Sequence, residues 1–347
     1  MGKQRPGTPT LEEVAARAGV GRGTVSRVVN NAAGVRESTR RAVQQAIAEL
    51  GYVPNLAARS LAGRRADAVA LVMTETDWRL FGEPFFTEIV RTVGDALTDA
   101  PVAPLQLLLT QVRTDTERRR FVEYARGGRV DGVLLMSVHA EDPLPDMLAE
   151  AGLPTVMLGR RSGDEGITYV DADNAGGARD AVTHLLESGR TAIATITGPA
   201  DMYVAECRLR GYREALRRAG IGVRPSLVAE GDFSEESGSR AMTELIRRNP
   251  GLDAVFAASD TMAAGALKAL RAAGRRVPDD VAVIGFDDFH LAQHTDPPLT
   301  TVRQPLEEVG RTMVRLLLEE IEEETGDSAV AWRHVILRTE LVLRGSA

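Results

Sequence analysis

The sequence predicts a small all-α helix-turn-helix domain followed by a larger α/β domain with parallel sheets, and three observations carry that expectation. Charge is divided along the chain: residues 1–65 hold 11 Lys or Arg against 4 Asp or Glu, a net of +7, so the remainder must carry −14 for the whole to total −7. A basic end on an acidic body is the footprint of a small nucleic-acid-binding module joined to something else, although a solvated basic tail would share it. Residues 10–51 fall into short segments with apolar positions at helical spacing, whereas everything from Ala68 onward alternates apolar runs with amphipathic segments. At 347 residues the chain also exceeds the size at which a single hydrophobic core usually stops growing.

Thr10-Leu11-Glu12-Glu13 is a capping box, so a helix is expected from Leu11. Its apolar positions Leu11, Val14, Ala15 and Ala18 follow the 3.6-residue period, and Gly19 can turn the chain at its end. Between Gly23 and Asn30, Val25, Val28 and Val29 make a buried stripe and leave Arg22, Thr24, Ser26, Arg27 and Asn30 on the other side. Those are groups that bond phosphates and base edges. A third segment, Thr39–Leu50, buries Val43, Ala46, Ile47 and Leu50 and stops at Gly51. Two short helices across a Gly-containing turn match the helix-turn-helix, whose second helix lies in the major groove. Helical hairpins in general share this spacing.

Pro54 keeps Val53 out of the helical region, Asn55 is a good N-cap and Gly63 is a stop signal, giving a helix of about two turns over 56–62. So short a helix is marginal in water and needs a partner to form. Domain boundaries are therefore expected at 1–54 for DNA binding, 55–66 for a hinge helix and linker, and 67–347 for the remainder.

Strands are expected at Val69–Thr74, Leu105–Thr110, Gly132–Ser137, Thr155–Leu158, Ala192–Thr197, Asp253–Ala258 and Val281–Phe286. Helices are expected at Pro84–Thr98, Asp173–Ser188, Arg208–Ala219, Ser234–Arg247, Thr261–Ala273 and Leu306–Glu323. In open α/β sheets ligands sit beyond the carboxyl ends of the strands. Asp260 and Asp287 directly follow two predicted strands, Arg208 opens a predicted helix and Phe233 follows Gly231-Asp232. A charged acceptor, a charged donor and a stacking ring suit a sugar. The plainer readings are helix N-capping for the two aspartates, a surface ion pair for Arg208 and core packing for Phe233.

The run Leu11-Glu12-Glu13-Val14-Ala15-Ala16-Arg17-Ala18-Gly19-Val20, then Thr24-Val25-Ser26-Arg27-Val28-Val29-Asn30, closely resembles the N-terminal module of the lactose-repressor family. Glu49-Leu50-Gly51-Tyr52-Val53-Pro54-Asn55, with Ala57, Ala58, Arg59, Ser60 and Leu61, resembles that family's third helix and hinge. The resemblance implies that Arg22, Gly23 and Arg27 face bases, and that Thr24, Ser26 and Asn30 contact or buttress the phosphate backbone. It implies that the hinge helices of a dimer pack in the minor groove, Asn55 capping, Ala57 and Ala58 allowing close approach and Leu61 wedging between base pairs. Gly21 and Arg36 stand where the family has hydroxyl residues, and Gly23 has no side chain to read with, which shifts base reading towards Arg22 and Arg27.

The same resemblance implies that the larger domain has two lobes around a cleft, like periplasmic sugar-binding proteins, with Arg208, Asp287, Phe233 and Asp260 lining an effector pocket. Pro84-Phe85-Phe86 looks like the family's ligand-facing helix. Trp78, in a first strand-to-helix loop longer than a tight connection needs, either stacks on a sugar or covers the lobe edge. With Leu158-Gly159-Arg160, this loop resembles actinobacterial members that respond to cellobiose or other oligosaccharides, so Phe85, Trp78 and Arg160 join the candidate effector residues.

Enzyme readings lack their parts. There is no Gly-x-Ser-x-Gly elbow, no Gly-Lys-Ser/Thr phosphate loop and no His-Glu-x-x-His, and the glycines at 19–23 follow a helix instead of a strand. One cysteine, Cys207, excludes an internal disulfide, and of five histidines only His290 and His294 are close in sequence. Neither metal nor cofactor is expected. Apolar runs fall far short of the roughly 20 residues that span a bilayer, and no apolar segment comes after the basic N-terminus, so a cytoplasmic protein is expected. With no heptad extension after Leu343, a homodimer is expected. The partners are then a palindromic DNA operator and a mono- or oligosaccharide. Two rivals stand: a regulator needing a purine or phosphorylated corepressor, and a solute-binding protein without specific DNA binding.

Overall fold

The computed structural model describes residues 9–29, 34–52, 65–75, 82–100, 105–162, 166–323 and 332–347. The chain divides into two compact units, Met1–Ala66 and Asp67–Ala347.

In the first unit α1 (Leu11–Ala18) begins with both halves of its capping box made: the Glu13 amide donates to Thr10 Oγ1 at 3.2 Å and the Thr10 amide to Glu13 Oε2 at 2.7 Å. Gly19 ends it with φ of 68°, left-handed backbone that a side chain resists. Next come α2 (Arg22–Val29) and α3 (Glu37–Leu50), the latter starting two residues before the expected Thr39. Arg36 stands at its N-cap without a side-chain hydrogen bond. Val14, Val25, Val28, Val43, Ala46 and Tyr52 close one small core.

The second unit opens with β1 (Ala68–Met73), α4 (Pro84–Thr98), β2 (Gln106–Gln111), α5 (Asp115–Tyr124), β3 (Gly132–Met136), α6 (Leu144–Glu150), β4 (Thr155–Leu158) and β5 (Thr168–Ala172). It continues with α7 (Asn174–Glu187), β6 (Ile193–Thr197), α8 (Tyr203–Arg218), β7 (Val228–Glu230), α9 (Glu235–Arg248), β8 (Ala254–Ala257), α10 (Asp260–Ala272), β9 (Ala282–Asp287), α11 (Leu291–His294) and β10 (Thr300–Arg303). It ends with α12 (Leu306–Glu323), β11 (His334–Leu337) and β12 (Glu340–Val342). Among the described residues two six-stranded sheets result, in the orders β11-β5-β4-β3-β1-β2 and β12-β10-β9-β8-β6-β7. Neighbours are parallel throughout except β12, which runs antiparallel to β10.

Each sheet is covered on both faces, which is why its inner strands are apolar on both. Along β1, Val69, Leu71 and Met73 pack with Phe86, Ile89 and Leu317, while Ala70 and Val72 pack with Phe121 and Leu144. In the other sheet Val255 and Ala257 face α9 and α10, and Ala254 and Phe256 face α7 and α8. The chain crosses between lobes after β5, after β10 and after β11, so α12 packs on the first sheet although it comes after a strand of the second.

Several expectations are corrected. β5, β7, β10, β11 and β12 are not among the expected strands, nor α5, α6 and α11 among the expected helices. Thr168–Ala172 is buried at all five positions, but its Thr and Asp hide that in the sequence. α8 begins at Tyr203, so Arg208 lies within the helix instead of opening it. Asp260 is the first residue of α10, and Asp287 is the last residue of β9 rather than the one after it.

Candidate functional site

The carboxyl ends of both sheets meet in a cleft of about 840 Å³, counting the open solvent at its mouth. Five of the residues named from sequence line it together: Phe85, Arg160, Arg208, Phe233 and Asp287. Asp260 does not line it. Trp78 lies outside the described residues.

Arg208 is buried among partners instead of forming a surface ion pair. Its Nε donates to Asn174 Oδ1 at 2.9 Å and its Nη1 to the Ala258 carbonyl at 2.5 Å, while Asp287 Oδ1 stands 3.5 Å from Nη1. The guanidinium lies 3.7 Å over the Phe286 ring. Burial lowers its pKa and the carboxylate of Asp287 pulls it back. Asp287 also accepts from Gln304 Nε2 at 2.7 Å, and burial pushes its carboxyl up to about 6 against the pull of Arg208.

Asp260 is a support beneath the cleft. The cap of α10 is Ser259, whose Oγ accepts from the Met262 amide at 3.1 Å. Asp260 Oδ2 accepts from the amide of Phe289, a cleft residue, at 2.9 Å, and Oδ1 accepts from Thr301 Oγ1 at 2.5 Å. Burial, then the charge of Asp287, raises its pKa well above the usual carboxylate range.

Phe233 both packs in the core and faces the cleft. It closes over Gly198, where a Cβ would stand 2.1 Å from its Cζ. Ser137, Phe233 and Asp287, all lining the cleft, hold positive φ of 60°, 70° and 118°. Backbone so placed is costly and gathers where a surrounding structure enforces it for a ligand.

On the first lobe Arg160 Nε donates to Asp171 Oδ2 at 3.0 Å and its Nη1 to the Tyr169 hydroxyl at 3.1 Å. Its guanidinium stands 5.2 Å from the Tyr203 ring of the second lobe. Asp171 is buried, which raises its pKa, and its other oxygen accepts from Asn174 Nδ2 at 2.9 Å. Arg160, Asp171, Asn174, Arg208, Asp287 and Gln304 thus form one polar chain from lobe to lobe. Sequence reasoning missed Asp171, Asn174 and Gln304, along with Ser137, Tyr203, Ser259 and Phe289. Position after a strand end was the available signal, and it failed where β5 and β10 were unrecognised. Cys207, next to Arg208, is buried and its thiol pKa is raised by that burial.

In the first unit, Arg22, Gly23 and Arg27 are exposed on α2, Thr24 and Ser26 are half-buried, and Val25 and Val28 anchor the helix from behind. Arg22 Nε stands 3.2 Å from Glu12 Oε1 in an exposed pair. Asn30 and the hinge positions Asn55, Ala57, Ala58 and Leu61 lie outside the described residues. Among the described residues no helix is long and apolar enough to cross a membrane, and no three His, Cys, Asp or Glu are grouped to hold a metal.

Residues 10–55 match the family model described as bacterial regulatory proteins, lacI family, and residues 182–347 match a periplasmic binding protein-like domain. The chain is 52% identical over 345 residues to the HTH-type transcriptional regulator CelR of Thermobifida fusca, 99% of each chain being covered. A solved complex of CelR with cellobiose matches with a TM-score of 0.76 at 51% identity, covering 98% of this chain and 100% of that one. A lac repressor dimer bound to operator and the anti-inducer ONPF matches with a TM-score of 0.85 at 28% identity, covering 98% and 99%. The chain belongs to the lacI family of bacterial regulatory proteins.

Proposed function

We propose that the chain is a cytoplasmic, dimeric transcriptional repressor and not an enzyme, and that cellobiose bound in the cleft releases it from a palindromic operator. The observation that carries the effector assignment is the lobe-to-lobe polar chain through Arg208 and Asp287, walled by Phe85, Tyr203 and Phe289. A disaccharide offers hydroxyls to such groups and C–H faces to such rings. Full-length similarity to a regulator solved with cellobiose supports the same choice.

In this reading residues 1–54 bind DNA, Arg22 and Arg27 meeting base edges beside Gly23, and Thr24, Ser26 and Asn30 meeting phosphates. Residues 55–66 form the hinge, where Asn55 caps a helix, Ala57 and Ala58 allow close packing and Leu61 enters the minor groove. Residues 67–347 hold effector and dimer contacts. Sugar closes the lobes and weakens the hinge, and operator weakens sugar binding by the same factor, because coupling between two bound states is reciprocal.

A gel-shift titration of the DNA upstream of the chain's own gene tests this. Cellobiose should release the DNA while maltose and purine nucleosides do not. Release by a purine alone, or undiminished binding at saturating cellobiose, overturns the effector assignment. Absence of any preference for palindromic over random duplex overturns the repressor reading.

A further inference from the structure

His139 lies beyond β3 in the first lobe, and Asp201 lies between β6 and α8 in the second. Their side chains meet, imidazole Nδ1 standing 2.7 Å from Asp201 Oδ2. Alongside, the Ala140 amide donates to the Asp201 carbonyl at 2.9 Å. On its other side the imidazole Nε2 stands 3.4 Å from Oε1 of Glu75, which lies just beyond β1, is buried and accepts from Ser137 Oγ at 2.6 Å. Neighbours of both residues, Ser137, Val138, Met202 and Tyr203, line the cleft, so this tie sits at its edge.

We propose that His139 is a positioning residue that clasps the two lobes across a bound effector, and that its imidazolium form is the one that holds. An imidazolium donates from both nitrogens and so serves both carboxylates, whereas neutral imidazole donates from only one. The charged groups facing it are Glu75 on its own lobe and Asp201 on the other, and they hold its pKa above the ordinary value, chiefly through Glu75 and against burial. Glu75 is present whether the lobes are open or closed. Asp201 acts only when they are closed, so its share alone raises the closed-state pKa over the open-state one. The clasp is therefore complete below the open-state pKa and fades as pH rises through the closed-state value.

The inference rests on the cleft taking an effector, and the test separates the two. Calorimetry with cellobiose on the full chain should show affinity about threefold weaker at pH 8.5 than at pH 6, the scale of a partly exposed charged pair. His139→Gln, which keeps one donor, and Asp201→Asn should both lose that dependence while matching the parent in urea unfolding. No pH dependence in the parent, or an equal one in the variants, overturns the clasp. If cellobiose binds at neither pH, the effector assignment has failed, and the clasp is then decided by the distance between spin labels placed on the two lobes of the ligand-free protein at the same two pH values. A larger closed fraction at the lower pH in the parent but not in Asp201→Asn supports it, and a pH-independent distance in the parent overturns it.

Discussion

The charge of Asp287 adds to burial in raising the cost of ionising Asp260, yet the two aspartates do different things. Asp287 faces the cleft, while Asp260 spends both oxygens on Phe289 and Thr301. In Asp260→Asn the amide oxygen still accepts from the Phe289 N–H, and the new NH2 donates to a Thr301 hydroxyl that turns round. We expect unchanged or slightly higher stability at pH 7. Asp260→Ala leaves the Phe289 amide buried without an acceptor and should cost about 1–3 kcal/mol in urea unfolding. The direction of the shifts sets the pH sign. A carboxyl raised on folding stabilises most below its unfolded pKa, and that contribution is lost as pH rises through the folded value, about 6 for Asp287. Asp287 titrates in both proteins, so their difference is set by Asp260: as pH rises above the ordinary carboxylate range the parent should lose stability relative to Asp260→Asn, and parallel curves would show that the aspartate carries no such burden.

At the scale of elements, helix contact decides where Arg208 points. α7 and α8 approach so closely that a Cβ on Gly211 would lie 2.2 Å from the Ala175 carbonyl oxygen, which cannot swing aside. Gly211→Ala must push α8 away, at a cost of about 1–3 kcal/mol of overpacking. Because α8 also carries Arg208, the same variant should weaken cellobiose binding several-fold, measured by calorimetry. Loss of stability with unchanged affinity would show that Arg208 tolerates the shift. On α2 the expectation is the reverse. Arg22→Ala removes an exposed guanidinium and should cost about 1–3 kcal/mol of operator binding without touching sugar affinity. A normal gel shift from that variant would mean that another face reads the DNA.

For the whole molecule, the basic first unit and the acidic second unit answer salt differently. Operator affinity should fall steeply with salt because each phosphate contact releases counterions, whereas sugar affinity, resting on buried groups such as Arg208, should barely move. Filter binding and calorimetry between 50 and 200 mM salt, roughly the span over which DNA contacts weaken strongly, compare the two. Comparable slopes would count against a charge-driven grip on DNA.

Local rules made much of this legible. The Thr10 capping box, the glycine stop at Gly51 and the apolar run of β1 each depend on residues a few positions apart, and each forms as spacing requires. Arg208 and Asp287 were legible through motif resemblance. Asp171, Asn174 and Gln304 were not, because β5 and β10 owe their burial to neighbours far along the chain: β11 pairs Tyr169 with His334, and β12 pairs Thr301 with Val342. The sequence by itself determined where charge divides, where α1, α4 and α12 start and where the inner strands β1, β3, β4, β6, β8 and β9 lie, since those are short-range consequences of capping, electrostatics and periodicity. Tertiary structure alone decided which of two adjacent-looking aspartates meets a ligand and which holds up the floor, because that depends on strand order across two lobes, and strand order is set by packing rather than by neighbours in the chain.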